Sequence, residues 1–240
     1  MFGIITGYIC LFFFSILLIK VLTRKLGMQK SDSFFMKLHK PASGILLIAC
    51  TVHMILVSPV LKMRNPAVIV AGICAIVTYL LLIIFCHNSG FRILSKNLKK
   101  NVSNLATYKL RLHRVLSLIM LVCIAAHIIF YYLDYEKYKN CISRIQLQSI
   151  DTSQTADGTY IGEYDVGYIY AKVSVIVSGG LITEIRLLEH RHQRGQDAEQ
   201  ITRDIVASQR IIVDAISGAT NSSLVIEKAV ENALTQSGLY

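Results

Sequence analysis

Apolar and polar positions divide the chain into two unlike halves. The first holds four long apolar runs, approximately Ile4–Ile19, Gly44–Leu61, Ala67–Phe85 and Val115–Leu133, each approaching the roughly 20 residues that a helix needs to cross a hydrocarbon core. The second begins with short-period alternation. Asp157-Gly-Thr-Tyr-Ile-Gly-Glu163 opens a strand, and Ala171–Val177 continues it with Lys172, Val173, Ser174 and Val175. Ser178-Gly179-Gly180 then signals a turn into a return strand over Leu181–Glu189. Helical spacing follows: Ile201, Ile205 and Val206 mark a helix over Ala198–Ser208, and Leu224, Val225, Ala229, Val230 and Ala233 mark another over Ser222–Leu234. The predicted fold is an all-α bundle of four membrane spans over residues 1–135, a linker or short helix over 136–153, and a small α+β domain over 154–240.

Composition agrees with this division. With 53% hydrophobic and 17% charged residues and a mean hydropathy of +0.51, the chain is too apolar for an ordinary soluble domain. Residues 1–140 carry 17 Lys and Arg against 3 Asp and Glu, whereas residues 141–240 carry 8 against 12. The net charge of +10 therefore belongs to the membrane half and calls for no nucleic acid. The first run has no preceding positive charge and no small-residue cleavage pattern after it, so it reads as an uncleaved anchor. Six basic residues fall in Lys20–Lys40 and seven in Arg92–Arg114, against only Lys62 and Arg64 in Ser58–Pro66. Basic residues collect on the cytoplasmic side, which predicts a multi-pass cell-membrane protein with its N-terminus and its C-terminal domain extracytoplasmic.

Cys10, Cys50, Cys74, Cys86 and Cys123 lie in or at the ends of the apolar runs, and Cys141 stands alone. No CxxC pair is present, which argues against an iron–sulfur or structural zinc site. The histidines carry more information. His39 and His53 flank or lie in the second run, His113 and His127 the fourth, and both intervals are 14 residues. Fourteen residues fall about 40° short of four full turns, so each pair shares one helix face, with its members about 21 Å apart. The two spans run in the same direction. His39 would face His113 at the inner level and His53 would face His127 at the outer, the geometry for two stacked haems b. A lone membrane histidine is usually structural, hydrogen-bonded between helices; four in matched register point to haem, because ionisable groups in a bilayer are costly. His87 has no matched partner and reads as interfacial. Lys40 and Arg114 beside the inner ligands read as boundary charges.

This pattern over Met36–Leu133 resembles the haem-binding core of the ferric reductase and NADPH oxidase transmembrane superfamily. Members of that superfamily have six spans and a cytosolic flavin and nucleotide domain. Here there are four spans and no GxGxxG-type segment, so the electrons are expected from membrane quinol or a separate donor protein.

The segment Asp214-Ala-Ile-Ser-Gly-Ala-Thr-Asn-Ser-Ser223 combines backbone freedom at Gly218, a small Ala219 and a hydroxyl at Thr220 just before a helix whose first N–H groups can receive an anion. It resembles the flavin-attachment motif of the FMN-binding domain family, found in flavoprotein subunits of Rnf and Na+-translocating NADH:quinone oxidoreductase complexes. The opening Asp157-Gly-Thr-Tyr-x-Gly and the hairpin ending in Leu188-Glu189-His190 add to the likeness. The resemblance implies FMN joined to Thr220 through a phosphoester, with Ser217, Gly218, Ala219, Ser222 and Ser223 around it. It also implies a separate extracytoplasmic FMN transferase that recognises Asp214. Asn221, Ser222 and Ser223 read equally well as helix caps. Where the family often carries a Thr-Pro-Gly-like loop, this chain has Arg191-His192-Gln193-Arg194-Gly195. His190 and His192 lack further metal-ligand partners nearby in sequence and read as surface residues.

The expected function is electron transfer across the membrane, from quinol or a cytosolic-side donor through two haems to covalent FMN, and on to ferric iron, flavin or a redox protein outside. The alternative is a haem-free, membrane-anchored flavoprotein subunit or redox sensor of a larger complex.

Overall fold

A computed structural model describes residues 2–86 and 105–236. His87 and the 92–104 part of the second basic loop lie outside the described residues. The chain forms two compact units, Met1–Lys62 and Met63–Tyr240. Among the described residues four helices are long and apolar enough to cross a membrane.

The first unit is a helical hairpin of α1 (Phe2–Lys25) and α2 (Gln29–Val57). Gly27, at a left-handed φ of 66°, ends α1 at no side-chain cost. The helices approach closely where side chains vanish: a Cβ on Gly3 would stand 2.9 Å from Val57, and one on Gly7 would stand 3.4 Å from the His53 ring. Helix α2 begins well before the apolar run, so His39 is helical and on the same element as His53.

The second unit starts with another hairpin, α3 (Pro66–Cys86) and α4 (Leu105–Ser143). Asn65 opens α3, its Oδ1 accepting from Ala67 N–H at 2.9 Å, and Pro66 occupies the first helical position, where a missing N–H costs nothing. Helix α4 has 39 residues, about 58 Å at 1.5 Å per residue, or nearly twice a hydrocarbon core of about 30 Å. The sequence leaves the segment after residue 135 as a linker or short helix; it is the unbroken continuation of α4 as far as Ser143. Asp134–Ser143 contains no Gly or Pro to stop it, and Glu136 and Lys139 pair one turn apart at 2.7 Å.

The C-terminal domain is a three-stranded antiparallel sheet in the order β1 (Gly158–Asp165), β2 (Tyr170–Ser178), β3 (Leu181–Arg191), covered by α5 (Ile201–Ser208) and α6 (Thr220–Gln236). Gly179 and Gly180 both have positive φ, 60° and 74°, as a two-residue hairpin turn matching the sheet twist requires. Ala171, Val173, Val175 and Val177 line one face of β2. They pack with Ile201 and Ile205 of α5 and with Val225, Ile226, Ala229, Val230 and Ala233 of α6, all of them buried. Tyr138, Cys141 and Ile142 of α4 pack on this same core, so the long apolar helix ends as part of the C-terminal domain's interior.

Candidate functional site

The two hairpins repeat one arrangement. In the first, His53 Nδ1 lies 3.0 Å from the Gly3 carbonyl and 3.2 Å from Thr6 Oγ1, and its ring packs on Gly7. In the second, His127 Nδ1 lies 2.9 Å from the Val68 carbonyl, and its ring packs on Gly72, whose added Cβ would stand 3.0 Å from Nδ1. A carbonyl only accepts, so Nδ1 carries the proton in both rings. The glycine follows the accepting residue by four positions in each case, on the same face of the preceding helix. His39 and His113 lie on the same helices as His53 and His127, one level away.

The predicted flavin segment forms a turn running into α6. Ala219 N–H donates to the Ile216 carbonyl at 2.9 Å, and Gly218 supplies the φ of +79° that the third residue of a type II turn needs. Thr220 is the first residue of α6. Its side chain is exposed, as are Asp214, Ser217 and Gly218, while Ala219 is buried. The opening N–H groups of α6 have no carbonyl within the helix to donate to. The exposed hydroxyl therefore sits where a helix favours negative charge.

Ser222 and Ser223 serve the fold. Ser223 is fully buried; its Oγ accepts from Ile216 N–H at 3.1 Å and donates to the Ala219 carbonyl at 3.3 Å, closing the turn from below. Ser222 is 2% exposed and lies against Gly195, where any Cβ would collide with its Oγ. Two further ties fix the preceding loop. Gln209, at a positive φ of 54°, clamps both backbone groups of Ile182 at 2.9 and 2.8 Å, and the buried Glu227 carboxylate accepts from Val213 N–H at 3.0 Å.

Burial raises the pKa of Glu227, and the Val213 hydrogen bond offsets this only in part. A raised folded value means that the folded state holds its proton more tightly. Glu227 thus contributes stability that is fully present below the ordinary 4.5 and is lost as pH rises through the folded value. Glu227→Gln keeps the acceptor and removes the charge. Thermal melts from pH 4 to 8 should show the wild type losing stability relative to this variant; parallel curves would refute the assignment.

An aromatic cluster joins the end of α4 to the start of α6. Tyr131, Tyr135 and Tyr138 follow His127 at helical spacing. Tyr131 stacks on Tyr135 with centroids 6.4 Å apart, and Tyr138 stacks on Tyr168 at 4.7 Å. The Arg64 guanidinium lies 4.0 Å from the Tyr168 centroid, within cation–π range. Burial pushes the Tyr168 hydroxyl up, Arg64 opposes this, and the Asp134 carboxylate adds to it. Asn221, the neighbour of Thr220, donates to Tyr138 Oη at 2.8 Å. The i, i+4, i+7 spacing of the three tyrosines after His127 is the sequence signal for this contact, and it is absent from the sequence reading.

His190 corrects an expectation. It reads as a surface residue, yet its side chain is only 2% exposed. It lies near the end of β3, where Glu199 Oε1, from the 3-10 turn Gln196–Gln200, meets its Nδ1 at 3.1 Å.

An exposed hydroxyl behind a glycine turn at a helix N-terminus, on a small α+β domain, defines a module suited to carrying a phosphate-bearing group. Residues 167–235, from the β1–β2 turn to the end of α6, match the family model described as FMN-binding domain. This supports FMN as the cofactor and a flavoprotein involved in electron transfer. No curated protein and no solved structure matches the chain.

Proposed function

We propose that the chain is a membrane electron-transfer flavoprotein in which Thr220 holds FMN covalently and His39, His53, His113 and His127 hold two haems b. The observation that carries the haem part is the repeated cradle of His53 and His127. A ligating histidine almost always donates its other ring N–H to a carbonyl or carboxylate, which fixes its tautomer and orientation. Both imidazoles have Nδ1 committed in this way, the orientation that a ligating histidine needs, and both rings occupy the space that a glycine leaves. A purely structural histidine needs the hydrogen bond but not the same glycine four residues after the acceptor on two separate hairpins. His39 and His113, each 14 residues earlier, supply the second level.

Thr220 fits FMN by its exposed hydroxyl, the Gly218 turn and the anion-receptive start of α6. Bound here, haem exchanges single electrons and flavin one or two, so the set suits transfer between carriers of different electron number. Membrane quinol or a donor protein supplies the electrons, an FMN transferase loads Thr220, and ferric iron, flavin or a redox protein accepts outside. The distribution of basic residues supports an extracytoplasmic C-terminal domain.

The test is the dithionite-reduced minus oxidised visible spectrum of the full chain purified in detergent. A b-type band is expected in the wild type, with one of two haems lost in His53→Ala and in His127→Ala while flavin on Thr220 is retained. A wild type with flavin but no haem band would overturn the haem assignment in favour of a membrane-anchored flavoprotein subunit or redox sensor.

A further inference from the structure

We propose that His190, His192 and Glu199 bind a divalent first-row transition-metal ion beside the start of α6. One ligand atom from each lies within 4.8 Å of the other two, and the two imidazole centroids are 4.4 Å apart. Two imidazoles and a carboxylate are the donor set of open, three-ligand sites for zinc and its neighbours.

His190 is the strongest sign of a ligand. Its side chain is 2% exposed, Nδ1 is engaged by Glu199, and Nε2 is buried without a hydrogen-bond partner. Buried polar atoms are bonded in the great majority of cases, so an imidazole in a structural role would be expected to have both nitrogens satisfied.

The other two donors can close on an ion. Tetrahedral bonds of about 2.0–2.1 Å place ligand atoms roughly 3.3 Å apart, so the set must contract by about 1.5 Å at most. Glu199 lies in a single 3-10 turn with its side chain 43% exposed, which gives an entry path and the freedom to exchange its contact with His190 Nδ1 for a bond to the ion. His192 Nδ1 now accepts from Gly195 N–H at 3.1 Å, and Gly195 is the residue packed on Ser222. An ion would thus fasten the 190–200 segment over the first turn of α6, a role that does not depend on whether Thr220 is flavinylated.

The full chain, purified in detergent through a tag without histidine and stripped with chelator, is titrated with Co2+. Visible absorption follows the titration, and Zn2+ retained after desalting is measured in parallel. Wild type should retain about one ion more than His192→Ala or Glu199→Gln and bind it at least about tenfold tighter, with the flavin content of all three chains unchanged. Equal retention by wild type and both variants, or none by wild type, would overturn the site. Because His192 and Glu199 are partly exposed, these variants avoid the folding risk of replacing His190.

Discussion

Thr220→Val, produced together with an FMN transferase, should give a chain with no flavin fluorescence after denaturing electrophoresis, against a bright wild-type band. Valine reproduces the shape of threonine but has no Oγ from which to form the phosphoester. The position is exposed at the first residue of α6, so the substitution should change stability by no more than about 0.5 kcal/mol. Ser217→Ala serves as the control. Its hydroxyl is also exposed but precedes the Gly218 turn, and the label should remain. Fluorescence persisting in Thr220→Val and disappearing in Ser217→Ala would move the attachment to Ser217. Ser223 is not an alternative acceptor, since its hydroxyl is buried and bonded at both ends.

The largest effect on stability is expected from Gly162→Ala in β1. The strand crosses α6 so closely that a Cβ at Gly162 would overlap Ala229 O and Ala233 N and stand 2.8 Å from Ala233 Cα. All three are helix backbone, which cannot rotate aside as a side chain can. Overpacking of this kind costs about 3 kcal/mol or more, equivalent to roughly 10–20 °C in the melting temperature of a domain this size. Gly158→Ala on the same strand should be nearly silent, since its Cβ would meet only the Tyr160 ring at 3.5 Å. Flavin fluorescence during thermal unfolding reports both. Indistinguishable melts for the two variants would refute the close β1–α6 contact as the source of the effect.

Most of the elements were legible because their signals are local. Four apolar runs became four helices, Ser178-Gly179-Gly180 became the β2–β3 turn, and the apolar spacing of Leu224–Ala233 became the buried face of α6. What escaped depends on contacts between distant residues. Nothing in the strand itself indicates that the His190 side chain is buried; the carboxylate that meets its Nδ1 comes from Glu199, in the 3-10 turn before α5. Ser222 and Ser223 look like phosphate ligands in a string of small polar residues. Only the fold shows that one closes the Ile216–Ala219 turn and the other lies beneath Gly195. The 14-residue histidine interval was visible, but the carbonyl and glycine that hold each ring lie about 50 or 60 residues away on another helix.

The unbroken run of α4 into the C-terminal domain makes helical phase a constraint on the chain's length. A flexible tether can gain or lose residues freely, whereas one residue added between Tyr135 and Tyr138 would rotate everything beyond it by about 100° and advance it about 1.5 Å. Tyr131 and Tyr135 would no longer share a face with Tyr138, and Asn221 would be carried away from the side of α4 that bears His127. Length changes that preserve the contact come in whole-turn steps of three, four or seven residues. The distance from His127 to the C-terminal domain is in this sense quantised.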